Sequence, residues 1–208
     1  MLIFIIVSIQ LISVALAKCP VNAEEYPLVD YRAVQQITRV WLDAYSSREA
    51  DTHFSCTQQE NIVESEEQSD YDFFTHTTSL VNGTNEYSAK FLNQGIPELI
   101  NRKSYYGTPT VFNLKPLSFN AHWFAGSKFF LIDGVLDGQG KWYAWMICND
   151  SDEYEFHISA RQDFIHEIEY KNITGVVLRI LDDYNLNPKG YTFHREPHPE
   201  KCKLSSQE

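Results

Sequence analysis

The stretch that most restricts what this chain can fold into runs from Lys141 to Cys202. Trp142 to Cys148 and Tyr154 to Arg161 are made almost wholly of residues suited to a pleated sheet, and the polar run Asn149 to Glu153 supplies the turn between them. From Ile173 the apolar positions Ile173, Val176, Val177, Ile180, Leu181 and Tyr184 follow the spacing of a helix buried on one side. Asn172 or Thr174 can cap its start, and Asn187-Pro188 ends it. A single late helix after a run of strands predicts a closed barrel with that helix packed outside.

The earlier strands follow from alternation and turn residues. Ile37 to Tyr45 reads as the first, with Trp41, Asp43 and Tyr45 on one face and Val40, Leu42 and Ala44 on the other. His53 to Glu64 is the second and Tyr71 to Val81 the third, and Asn82-Gly83 is a hairpin signal into the fourth, Thr84 to Leu92. Gly95 to Tyr106 is loop-like. Thr108 to Leu114 gives the fifth strand and Lys128 to Leu136 the sixth, and Asp137-Gly138-Gln139-Gly140 turns into the seventh. Between the fifth and sixth, Phe119, His122, Trp123 and Phe124 either prolong a strand or cover the mouth of the barrel. The fold class is therefore all-β: an eight-stranded up-and-down antiparallel barrel with one C-terminal α-helix outside, wide enough for one small ligand.

The first seventeen residues carry no charged side chain and end in Ala15-Leu16-Ala17, the pattern of a secretory signal peptide, so residues 18–208 form the mature chain as a single domain. That segment is short for a membrane span, and no later one is long enough. The formal charge of -11 excludes nucleic acid and anionic membrane surfaces as partners, because phosphate binding needs clustered Lys and Arg. Cys19, Cys56, Cys148 and Cys202 lack zinc-like spacing, and in a secreted chain they predict disulfides whose pairing their spacing leaves open. Asn82, Asn149 and Asn172 head three glycosylation sequons.

The order of landmarks resembles the lipocalin family, and within it the apolipoprotein D-like branch that includes insect members. Cys19-Pro20 followed by Val29-Asp30-Tyr31 resembles that branch's opening. Trp41 stands where the family has its first-strand tryptophan, and Cys56 follows in the second strand. Trp142-Tyr143-Ala144 before Cys148, Ala160-Arg161, and Leu181-Asp182-Asp183-Tyr184-Asn185-Leu186-Asn187 before Cys202 match the later landmarks. The chain departs from the pattern at Arg39-Val40-Trp41, where the family has Gly-x-Trp, and in the longer turn Val135 to Lys141. The resemblance implies disulfides Cys19–Cys148 and Cys56–Cys202, and Arg161 lying across Trp41 at the base of the barrel.

With Trp41 and Arg161 inward at the base, alternation places Asp43 and Tyr45 above Trp41, and Ser159, His157 and Glu155 above Arg161, unless a bulge reverses a face. These five residues, with Trp145, are the candidate ligand-binding set. Carboxylates facing an apolar cavity need a cationic or hydrogen-bonding partner, so the expected ligand is small and mostly apolar: a lipid, a pigment or an amine-bearing molecule. No nucleophile elbow is present, Gly138-Gln139-Gly140-Lys141 is a hairpin turn rather than a phosphate loop, and Pro197 keeps His194 and His198 off a common helical face. The expectation is a secreted carrier, with no enzyme activity, metal or cofactor. The alternative is a degenerate lipocalin whose cavity is filled by its own aromatic side chains and whose loops bind another protein.

Overall fold

The computed structural model describes residues 40–47, 54–62, 72–95, 111–134, 141–149, 154–168, 171–183 and 190–197, with backbone alone for Val111, Trp123, Asp133 and Gly134. The expected signal peptide, Cys19 and Cys202 lie outside these residues.

Eight strands form an antiparallel meander: β1 (Val40–Ser46), β2 (Phe54–Ile62), β3 (Phe73–Val81), β4 (Asn85–Gly95), β5 (Val111–Pro116), β6 (Lys128–Gly134), β7 (Trp142–Cys148) and β8 (Tyr154–Ala160). Each pairs with the next, and β8 returns to β1, which meets β2 through Val40↔Glu60, Trp41↔Gln59 and Leu42↔Gln58 to close the barrel. The helix α1 (Ile173–Asp183) packs outside, and the two-residue strand β9 (His194–Arg195) joins β1 near the chain's end.

β7 and β8 read as nearly unbroken apolar runs because both their faces are covered. Trp142, Ala144, Met146, Phe156, Ile158 and Ala160 point outward into a layer with Phe164, Ile165, Ile168 and the α1 residues Ile173, Val177 and Leu181. Full burial of each of these three helix side chains is worth about 1.5–3 kcal/mol. Asn172 precedes α1 with φ +49, its carbonyl accepts the Val176 N–H, and its side chain folds so close over Gly175 that a Cβ there would lie 2.7 Å from the amide nitrogen. Asn172, not Thr174, therefore opens the helix.

Asn82 and Gly83 both adopt positive φ (+51 and +74), as the hairpin signal requires, and Thr84 N–H closes the turn on the Val81 carbonyl at 3.2 Å. The meander collects this turn and the connections β1–β2, β5–β6 and β7–β8 at one end, the mouth. There, Phe119–Phe124 forms a 3-10 helix, so this segment covers the mouth rather than extending β5. It is tied to β4 by Tyr87 Oη–H to the Asn120 carbonyl (2.8 Å) and Asn120 Nδ2–H to the Ser88 carbonyl (2.9 Å). Ala121 is buried inward, whereas Phe119 is 87% exposed.

Two irregularities near the β1–β2 contact set up the site. β1 shifts register against β8 between Asp43 and Tyr45, and β2 shifts against β3 between Ser55 and Gln58, where Cys56 takes φ +56. Past these bulges β1 pairs with β9, through Tyr45↔Arg195 and Ser46↔His194.

Candidate ligand-binding site in the barrel interior

The lumen has an aromatic wall and a polar wall. Phe73, Phe112, Phe129 and Trp145 form a chain of rings with centroids 5.2 to 6.2 Å apart, contributed by β3, β5, β6 and β7. Trp145 ends the chain stacked on the His157 imidazole, at 4.0 Å and 6° between planes. Adjoining Phe73 stand polar pairs from β2, β3 and β4: Thr57 with Ser79 (2.9 Å), Asn61 with Thr75 (2.7 Å) and Asn93 with Thr75 (2.8 Å).

Asp43 on β1 is the hub between the walls. Gln59 Nε2 donates to its two carboxylate oxygens at 3.0 and 3.1 Å, and Ser159 Oγ–H donates at 2.5 Å. The network extends through Tyr143 Oη–H to Gln59 Oε1 and Trp145 Nε1–H to Ser159 Oγ, both 2.8 Å. His157 Nε2 meets Glu155 Oε1 at 2.8 Å, while its Nδ1 stands 3.6 Å from Asp43 Oδ2, an ion-pair distance too long for a hydrogen bond. Among the described residues, this Nδ1 is the one buried side-chain nitrogen or oxygen without a hydrogen-bond partner. Such an atom costs free energy until an acceptor reaches it.

Burial lowers the His157 pKa, but the nearby Asp43 carboxylate and the Glu155 carboxylate, which also accepts its hydrogen bond, outweigh it and push the value up to about 10. Burial, reinforced by the Asp43 charge, raises the Tyr143 hydroxyl well above its ordinary range. His157 is therefore a cation held by two carboxylates, and Tyr143 is a neutral donor. Glu196, just after β9, is also buried, and its carboxyl is pushed up to about 8, first by desolvation and then by the Asp43 charge.

Asp43, Trp145, Glu155, His157 and Ser159, all expected from the sequence, come together in this cluster. Tyr45 does not. The bulge after Asp43 puts Tyr45 opposite Ile158 on the outer face, and Ser46, opposite His157, is buried in its stead. Arg161 Nε pairs with Asp163 at 3.1 Å, and Trp41 meets Tyr143 edge-on at 4.9 Å. Sequence reasoning missed Tyr143, Gln59, Ser46 and Glu196. Tyr143 shares the parity of Trp145, so alternation along β7 could have found it. Gln59 and Glu196 lie in polar runs that carry no local signal of burial.

Cys56 and Cys148 are buried and neither is a free thiol. The expected bridges each involve a residue outside the described set. Asn82 and Asn172 are exposed and Asn149 is partly buried. Among the described residues no His, Cys, Asp or Glu trio is arranged to hold a metal ion, and no helix is long and apolar enough to cross a membrane.

No protein-family model and no curated protein matches the chain. Solved structures do. Apocrustacyanin C2 superposes with a TM-score of 0.56 at 12% identity, covering 91% of this chain and 93% of that one. H1 crustacyanin from the lobster Homarus americanus gives 0.53 at 13% identity, covering 91% and 98%, and the cockroach allergen Per a 4 gives 0.51 at 10%, covering 84% and 91%. At these identities the likeness is one of fold: the chain has the lipocalin fold, a closed eight-stranded barrel with a helix outside it.

Proposed function

We propose that this protein is a secreted, non-enzymatic carrier that takes a small, mostly apolar ligand into the barrel, with a cationic or hydrogen-bonding group of that ligand directed at the Asp43–Glu155–His157 cluster. The observation that carries this reading is the buried His157 Nδ1 without a hydrogen-bond partner, beside two carboxylates and against an aromatic wall. A ligand acceptor would satisfy the nitrogen, and the rings would cover an apolar body. Secretion is supported by the leader-like first seventeen residues and the three sequons. The bridge Cys56–Cys202 is favoured by the Cys56 N–H to Pro197 carbonyl bond (3.3 Å), which brings the tail to Cys56 shortly before Cys202. Cys19–Cys148 would be the second bridge.

Trp145 in the wall makes intrinsic fluorescence a direct assay. Titration with retinoids, fatty acids, sterols, bilins and amines is expected to give saturable quenching by one class, weakened by His157→Ala and unaffected by Tyr45→Ala on the outer face. A panel without any saturable response would sink the carrier reading. It would favour the second one, a barrel filled by its own rings that acts through its loops. The observation on that side is the contact of Phe73 on β3 with Phe129 on β6, at 6.2 Å, across a lumen that β4 and β5 separate.

A further inference from the structure

β1 has two successive partners along one edge. Near the base it pairs with β2, but the bulges at Asp43–Tyr45 and Ser55–Gln58 part the strands toward the mouth, and the chain's tail enters the gap. β9 pairs with Tyr45 and Ser46, and the Glu196 N–H donates to the Ala44 carbonyl at 3.0 Å. On the other side the Glu196 carboxyl accepts the Thr57 N–H at 2.6 Å, and the Pro197 carbonyl accepts the Cys56 N–H. Segment 194–197 thus bridges both lips of the seam, and the one ionisable side chain it buries lies beside the hub of the ligand site.

We propose that this segment is a proton-operated latch on the side of the barrel: it is seated while Glu196 is protonated, and loss of that proton to solvent drives it out of the seam. As regulation of ligand binding this rests on the carrier reading; as a property of the seam it stands without it. The groups that face Glu196 decide the sign. Asp43 on β1 repels its anion and desolvation disfavours it, while the Thr57 groups on β2 and the His157 cation on β8, itself paired with Glu155, favour it; the first two prevail. On the segment itself, His194 is partly buried and Arg195 exposed. A carboxyl pushed up to about 8 when seated, against 4.5 ordinarily, makes seating strongest in acid. The seating constant then falls about tenfold per pH unit between those values and levels off above the higher. The bridge inferred at Cys56 would tether the tail, so the displacement is local and reversible.

Hydrogen exchange of the Glu196, Thr57 and Cys56 amides in the ligand-free, disulfide-intact protein tests this, once rates are corrected for intrinsic pH dependence. Protection in the native protein is expected to fall about tenfold per pH unit between pH 5 and pH 8, and to stay flat in Glu196→Gln, which keeps an acceptor for Thr57. A flat native profile, or the same slope in Glu196→Gln, would overturn the latch. Should the variant fail to fold, the Thr57 amide resonance of the native protein serves instead. It should titrate with a midpoint between pH 6 and 9, and a midpoint below 6 would also overturn the proposal. Exchange is read without ligand, so failure here leaves the carrier reading intact, and a silent ligand panel leaves the latch intact.

Discussion

Replacing Asp43 with Asn tests the centre of the site, because it keeps the shape and removes the charge. In the native protein the His157 pKa is raised from 6.5 to about 10. At about 1.4 kcal/mol per unit, this stabilises the folded state by on the order of 5 kcal/mol. A raised histidine contributes that stability fully below its unfolded value of 6.5, and the contribution disappears as pH rises through about 10. Asp43 and Glu155 share the effect, so Asp43→Asn should remove about half of it. The new amide also sets two N–H donors among Gln59 and Ser159, which now donate to the carboxylate, at a further cost of about 1–3 kcal/mol. The sum is about 3.5–5.5 kcal/mol, close to the roughly 3–5 kcal/mol for breaking a buried ion pair by removing one partner. Urea unfolding followed by tryptophan fluorescence should show that loss at pH 6, and a smaller one at pH 10, where only the hydrogen-bond part persists. A penalty below about 1 kcal/mol at pH 6, or one equal at both pH values, would refute the assignment of Asp43 as the counter-ion of His157.

Gly83→Ala should lower stability by about 1–2 kcal/mol, through backbone strain alone, since φ is +74 and no atom lies within 4 Å of the added Cβ. Thermal unfolding checks this, and an unchanged midpoint would mean that the turn relaxes freely. Non-reducing peptide mapping should recover Cys19 with Cys148 and Cys56 with Cys202, whereas a Cys56–Cys148 peptide would contradict the seam described above.

What was legible in the sequence is what short-range rules control. The β7–β8 hairpin, the Asn82-Gly83 turn and the Ile173, Val177, Leu181 stripe each depend on residues a few positions apart, and each lies where its pattern places it. Alternation also carried Glu155, His157 and Ser159 onto the inner face of β8, a strand without a register shift against β7. It failed on β1 at one residue. No glycine or proline marks the bulge after Asp43, so nothing local announces that Tyr45 turns outward while Ser46 turns in.

The bulge has a physical reason that lies far along the chain. Ala44 offers its carbonyl to the Glu196 N–H, and Cys56 takes a left-handed φ while donating its N–H to Pro197; both distortions are made where the tail enters. Without the tail these backbone groups would be unpaired at a buried seam, and a regular β1 would pair them with β2 instead. One long-range contact therefore removes Tyr45 from the lumen, admits Ser46, and brings a third carboxyl to Asp43 and Glu155. A run of charge near a chain's end is usually a solvated one, and His194-Arg195-Glu196 offers no pattern that says otherwise. The charge of the interior is set by Asp43, Glu155, His157 and Glu196 together, and only the first three could be reached by reading strands in order.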